Sequence, residues 1–452
     1  MTTLLGLVET PGQYQELIRL AELLKAQARL SQLYLVHDCG PATQQILEGF
    51  ARAGAECIAA DGQAVSKMRK LALGGTPSWW RNAMRFLRDT LRPAYLLVTY
   101  RRLFKQRSID LVVVTEDSVA ARARALVHVA MRFGVPVLIT PFTIPNPYEA
   151  ARILGRRRDY QLHGFVAQFF AKLRPNWILD GKWIRVPLPQ AITNELVGLA
   201  PARPWIDNEG PATIAVESPA MVKHYRAMGV SDRQLVLTGS LADHILERSR
   251  NERAQRQTDL RARFQLSDRP LLLCALPPDQ LTHAGAESEF ATYDELLSAW
   301  RAALAAVADR FAVVVRPHPR LNEAMLDQLK QAKLAICWDD TATLVPLCDL
   351  YVASISATIR WAIACGKPVV NYDVFQYRFD DYDGVPGNIL VNDIAAFRQA
   401  LSELAANPVR LAALANAQST VARDWGCLDG ESSRRMLALI DRLLTSASRK
   451  PN

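Results

Sequence analysis

Two stretches of this sequence carry side chains suited to receiving negative charge. In "FAVVVRPHPR", a run of apolar residues ends in Arg316, His318 and Arg320, with the imidazole bracketed by Pro317 and Pro319. Proline cannot donate to a sheet ladder, so pairing stops at Pro317, and a residue that precedes proline is held extended. The loop is therefore stiff. The ring is expected to leave the sheet end at low entropic cost, toward a phosphate or leaving-group oxygen; simple strand termination would use the same prolines. In "YVASISATIRWAIACGKPVV", Ser354, Ser356 and Thr358 fall where a strand turns into a helix, and Asn371 ends the next strand. Amides and hydroxyls at such a turn form an anion site, or a serine cap without a ligand. Both stretches lie in the same half of the chain, which favours a phosphate-bearing ligand.

Carboxylates supply the second half of a transfer reaction. Glu9, Asp38, Glu116, Asp117 and Glu217 fall at expected strand ends, and Asp243 follows them. Transfer to a hydroxyl needs one carboxylate to take its proton, or one to act as nucleophile. Asp117 is the first choice, with Glu116, Glu9 and Asp243 as substitutes, although acids at such positions also cap helices. His37 and His244 carry the same ambiguity. Asp380, Asp381 and Asp383 in "FDDYDG" read as a solvated turn, so no metal is expected. The 7 cysteines include no CxxC pair and sit mostly in apolar runs, the pattern of buried free thiols in a reducing compartment.

These residues need a scaffold. Short apolar runs such as "TLLGLVE", "QLYLVHD", "IDLVVVTED" and "VPVLITPF" alternate with helical segments that close on glycine. That alternation means a parallel sheet covered on both faces. A charged stretch over 247–268 interrupts it, and the alternation then restarts at "LLLCALP". At 452 residues the chain suits two domains, each of about 200 residues. The expected organisation is a first Rossmann-like domain over 1–246 with a basic helical insertion near 67–107. A charged linker follows over 247–268, read as a solvated helix and linker, then a second domain over 269–428 and a closing helix over 429–452.

Charge narrows the partners. Lys+Arg of 54 against Asp+Glu of 45 gives +9, which points to an anionic partner. In "PSWWRNAMRFLRDTLRP", Arg81, Arg85, Arg88 and Arg92 form one helical stripe beside Trp80, Met84, Leu87 and Leu91. An apolar face with tryptophan and an arginine face suits an anionic bilayer surface; packing of that stripe on the first domain is the alternative. No module for nucleic acid is present. The N-terminus does not read as a signal peptide, and no apolar run approaches ~18 residues. A cytoplasmic place, peripheral on the inner face of the membrane, is expected.

"RPHP", "SISATIRWAIACGKPVV", "NYDVFQYR" and "LDGESSRR" resemble the GT-B glycosyltransferases of bacterial surface-polysaccharide synthesis. That group includes the Kdo and sialic-acid transferases, with an HP motif and a Ser-rich motif, and the CDP-glycerol glycerophosphotransferases. "LVVVTEDSVAARARALVHVAMRFGVPVLI" and "YRAMGVSDRQLVLTGSLADHIL" are similar in layout to the nonhydrolysing UDP-GlcNAc 2-epimerases. Their Gly-Asp-Thr is here Thr115-Glu116-Asp117-Ser118. The resemblance implies an α/β fold of two doubly wound Rossmann-like domains facing a cleft. It also implies a nucleotide-sugar donor as substrate, held by His318, Ser354 and Ser356 with Arg316, Arg320, Thr358 and Asn371, and no cofactor. The implied activity is sugar transfer to a surface-glycan or lipid-linked acceptor, first from a CMP-linked ulosonic sugar such as Kdo or a sialic-type acid. A CDP-glycerol-type glycerophosphotransferase, a UDP-GlcNAc 2-epimerase-like enzyme and a catalytically silent membrane-surface protein are the alternatives.

Overall fold

The computed structural model describes residues 2–37, 43–52, 54–59, 78–119, 121–146, 158–201, 212–281, 287–318, 321 and 334–448. The chain divides into two compact units. One comprises Met1–Ala215, His224–Val236 and Met436–Asn452; the other comprises Val216–Lys223 and Leu237–Arg435.

The first unit is built on strands β1 (Thr2–Val8), β2 (Leu30–His37), β3 (Ala55–Ala59), β4 (Leu111–Val114) and β5 (Val137–Ile139). A small antiparallel pair, β6 (Ile178–Leu179) and β7 (Trp183–Ile184), stands apart from them. β8 (Thr213–Val216) and β9 (Leu235–Leu237) complete a sheet of order β3-β2-β1-β4-β5-β8-β9. The pairs from β3 through β8 are parallel. β1 and β4 are buried along nearly their whole length, as strands covered on both faces must be. The chain leaves β1 one way to β2 and the other way to β4. The β1/β4 junction is thus a topological switch point, where ligand crevices form beyond the strands' carboxyl ends.

The second unit carries β10 (Leu271–Ala275), β11 (Ala312–Arg316), β12 (Ala335–Ile336), β13 (Leu350–Ala353), β14 (Val369–Tyr372) and β15 (Asn388–Val391). Their order is β12-β11-β10-β13-β14-β15, and every pair is parallel. The switch point here is β10/β13. Trp300, Tyr372 and Phe397 pack their rings at centroid distances of 4.9–5.1 Å behind this sheet.

Three features add to the sequence expectation. Most of residues 247–268 is helical. The two helices, Asp243–Asn251 and Arg253–Phe264, are tied into the second unit by Arg253–Asp349 at 2.5 Å and Arg263–Asp339 at 2.7 Å. The closing helix runs over Ser432–Ser448, with Met436, Leu439 and Ile440 buried. The β6/β7 pair and the helices Gly164–Leu173 and Leu188–Leu196 were not expected; strands of 2 residues leave no periodicity to read. The helix expected over 322–332 lies outside the described residues.

Candidate functional site

The register of the second sheet decides which residues share its edge. Ala275 faces Arg316, Cys274 faces Val352, and Ala353 faces Asn371. Arg316, Ala275, Ala353 and Asn371 therefore form one row, and one level beyond it the loops carry Pro317, Leu276 and Ser354. β10 lies between β11 and β13, so the His318 and Ser354 loops leave one edge of the sheet about 10 Å apart.

Each loop is held by its own contacts. Asn371, 2% exposed, accepts the Ile355 amide through Oδ1 at 2.9 Å. The Tyr382 hydroxyl donates to the Ser356 carbonyl at 3.0 Å. Ile355 itself sits at φ +40°, a conformation disfavoured for a β-branched residue. Such strain persists only where the surroundings over-determine it, and it concentrates at ligand sites. Within this clamped turn Ser354 is 6% exposed, and its hydroxyl has no hydrogen-bond partner among the described residues. A buried hydroxyl left unpaired is costly. Its neighbours are satisfied: Tyr351 Oη lies 2.6 Å from Thr358 Oγ1, which lies 2.7 Å from Ser356 Oγ.

Arg316 supplies the cation. Its Nε donates to the Asp339 carbonyl at 2.8 Å, and its guanidinium lies 5.4 Å from the Trp338 ring centroid. Burial holds it below its ordinary pKa, opposed chiefly by Asp340, and it lies within electrostatic reach of Tyr351 across β10. His318 is half-buried, behind a buried Pro317. Arg320 lies outside the described residues. Trp338, 48% exposed at this edge, escaped the sequence reading, as did Ile355. "LAICW" read as a plain strand, and no sequence pattern marks a strained φ.

In the first unit the register aligns Gly6 with Val113, so Glu9 and Glu116 leave β1 and β4 at the same level of the switch point. Glu9 faces Arg122 at 3.5 Å and Arg92 at 3.9 Å. Burial lowers the Arg122 pKa, and Glu9 opposes the shift. Asp117, the first choice for proton acceptor, is fully buried with Arg124 Nη1 at 3.7 Å. Glu116 is half-buried. Asp243 serves the scaffold of the second unit. It accepts from the Ser240 amide at 3.1 Å, the Ser240 hydroxyl at 2.9 Å and the Cys427 amide at 3.0 Å, and pairs with Arg360 at 3.8 Å.

Two quoted motifs are likewise structural. Asp373 of "NYDVFQYR" closes its own loop by accepting the Tyr377 and Arg378 amides at 2.9 and 2.6 Å. Arg435 of "LDGESSRR" joins Asp429 at 2.8 Å to the Thr238 carbonyl at 2.9 Å. Arg92 turns inward to Glu9 rather than extending an outward stripe. The backbone of the Ser78–Gln106 helix carries Trp80, Arg81, Arg85 and Arg88, whose side chains lie outside the described residues. On that helix Phe86, Leu87 and Leu91 are exposed, so its apolar stripe is not packed on the first domain there. Among the described residues no His/Cys/Asp/Glu cluster could hold a metal ion, and no helix is long and apolar enough to cross a membrane.

No family model matches the sequence, and no curated protein matches it by sequence. Solved structures do match in shape. The glycosyltransferase of kitacinnamycin is similar at TM-score 0.53 and 14% identity, over 98% of this chain and 99% of its own. The wall teichoic acid polymerase TagF with CDPG is similar at TM-score 0.54 and 10% identity, over 99% and 90%. UDP-GlcNAc 2-epimerase from Neisseria meningitidis, bound to UDP-GlcNAc, is similar at TM-score 0.53 and 10% identity, over 97% and 100%. The chain has the GT-B fold. At these identities the likeness concerns the path of the backbone, and the side chains of the sheet edges must carry the chemistry.

Proposed function

We propose that this protein is a glycosyltransferase that moves a sugar from a nucleotide-activated donor to a surface-glycan or lipid-linked acceptor. The observation that carries this reading is the Ser354 hydroxyl, without a hydrogen-bond partner among the described residues, at the β10/β13 switch point in a turn clamped at a positive φ, with Arg316 and His318 leaving the same sheet edge. A donor phosphate between these loops would satisfy Ser354 and meet the Arg316 cation. As the bond between the anomeric carbon and the phosphate oxygen breaks, charge grows on that oxygen. Groups already aimed at it stabilise the transition state without reorganising. His318 donates to the same oxygens, and Trp338 offers an aromatic face to the base. The acceptor hydroxyl attacks the anomeric carbon and gives its proton to a carboxylate of the first unit. Glu116, half-buried just beyond the end of β4, is the carboxylate we assign to that role.

A CMP-linked ulosonic sugar is the donor we assign first, on the HP and Ser-rich stretches. The likeness to TagF with CDPG favours one second reading, a glycerophosphotransferase that uses the same His and Ser positions. Its donor is attacked at phosphorus by the acceptor hydroxyl, releasing the nucleoside monophosphate. The Ser78–Gln106 helix, with arginines and exposed apolar residues, fits an enzyme peripheral to an anionic membrane.

A thermal-shift panel of CMP, CDP, UDP and ADP tests the assignment. Stabilisation by CMP, with His318→Ala abolishing both that shift and sugar transfer, is the expected result. A response to CDP with glycerol phosphate transfer selects the second reading. A response to UDP alone refers the chain to UDP-sugar chemistry. A His318→Ala protein that keeps the full CMP shift and the transfer would remove the site.

A further inference from the structure

We propose that the Gly164–Leu173 helix is a membrane-inserting element, its apolar face seated at the boundary between headgroups and acyl chains of an anionic bilayer. In GFVAQFFAKL, Phe165, Phe169 and Leu173 recur every fourth residue with Val166 beside them, so four large apolar side chains share one face. That face is bare. Phe165 is 80% and Val166 65% exposed, and Phe169 and Leu173 are more than half exposed. The Phe165 and Phe169 rings stack on each other, with centroids 6.1 Å apart. Ala167 is the helix's one buried residue. On the inner side, Phe170 packs near Trp177 at 6.4 Å, against a small core of Val119, Trp177, Ile184, Val186 and Ala191. The helix is thus fixed from behind and uncovered in front.

Charge identifies the occupant. Lys172 is exposed at the helix end, and Arg174 and Lys182 are exposed beside it, paired with Glu195 at 3.1 Å and Asp180 at 3.7 Å. The sequence of the Ser78–Gln106 helix adds Arg81, Arg85, Arg88, Arg101, Arg102 and Lys105 against one acid, Asp89, with Arg92 turned inward to Glu9. That helix too presents bare apolar side chains: Phe86, Leu87, Leu91, Tyr95 and Val98. Both helices rest on Leu188–Leu196, the one directly and the other through the core that contains Ala191. Bulky apolar side chains set among cations match a surface that is negative at the headgroups and oily beneath.

The proposal rests on the reading of the protein as an enzyme that works at a membrane, and it adds the element that penetrates. Flotation of the full chain with phosphatidylcholine vesicles, and with vesicles containing phosphatidylglycerol, is the test. The protein is expected to float with the anionic vesicles and to stay partly bound at high salt. The double variant Phe165→Asp/Phe169→Asp should bind about tenfold or more weakly, with its thermal midpoint and its response to nucleotide unchanged. In Phe169→Trp, the added fluorescence should shift to the blue on vesicle addition. Equal binding by the double variant, absence of the blue shift, or no flotation of the parent overturns the proposal. So does a self-associated parent that the double variant splits without vesicles, which would make the face a contact between copies. Flotation with no nucleotide response would remove the enzymatic reading and leave the inserting helix standing.

Discussion

Replacing Ser354 with alanine should move stability and nucleotide binding in opposite directions. In the free protein the hydroxyl is buried and has no partner among the described residues, so its removal relieves a desolvation cost of up to about 1 kcal/mol. For a unit of this size that raises the midpoint by about 2–4 °C. With nucleotide present the sign reverses. A hydrogen bond to a charged phosphate contributes about 1.5–3 kcal/mol, or about 10- to 150-fold in affinity. Parent protein with nucleotide at 100 times its dissociation constant is stabilised by about 2.7 kcal/mol. A tenfold loss cuts this to about 1.4, and a hundredfold loss to about 0.4 kcal/mol. Thermal unfolding of both proteins, with and without nucleotide, measures the two effects in one experiment. If Ser354→Ala lowers the midpoint of the free protein and keeps the full nucleotide increment, the hydroxyl is structural and the reasoning about this turn is wrong.

Further outcomes follow from the same contacts. Asp243→Ala strands the buried Arg360 guanidinium, so it should cost about 3–5 kcal/mol; a midpoint equal to the parent's would return Asp243 to the catalytic candidates. Burial pushes the Cys274 and Cys348 thiols up to about 12. Since their folded values are raised, the unfolded chain loses its protons first. Stability present below pH ~8.5 should then fall between about 8.5 and 12, by about 1.4 kcal/mol per thiol per pH unit. Urea midpoints from pH 8 to 10.5 check this, and Cys274→Ala should flatten the slope by one thiol's share. Replacing Arg81, Arg85 and Arg88 together with glutamine should weaken binding to anionic vesicles, most at low salt, and leave the nucleotide response intact; unaltered vesicle binding would clear that stripe of a membrane role.

Much of the architecture was legible because periodicity is a local property. Strands buried on both faces, such as Leu111–Val114 and Leu350–Ala353, must read as continuous apolar runs, and the alternation with helices implied two parallel sheets. The stiff His318 loop was equally plain, since proline acts on its own neighbours. The short β6/β7 pair was not, because two residues hold no period. The anchoring of the charged 247–268 stretch was not legible either, because ion pairs such as Arg253–Asp349 reach a partner 96 residues away.

Residue types alone nominated Arg316, His318, Ser354 and Asn371, and by themselves established which groups could receive negative charge. Only the tertiary structure showed what surrounds the acids. Glu9, Glu116, Asp117 and Asp243 are chemically alike in sequence, yet one is buried against Arg124, one is clamped by Ser240 and Cys427, and one is held by two arginines. A carboxylate's role depends on the cations and amides that the fold brings to it, and those come from distant parts of the chain. The same holds for Ser354 and Phe165. An unpaired hydroxyl and a bare aromatic face are statements about what does not pack nearby, and no local pattern of residues encodes that.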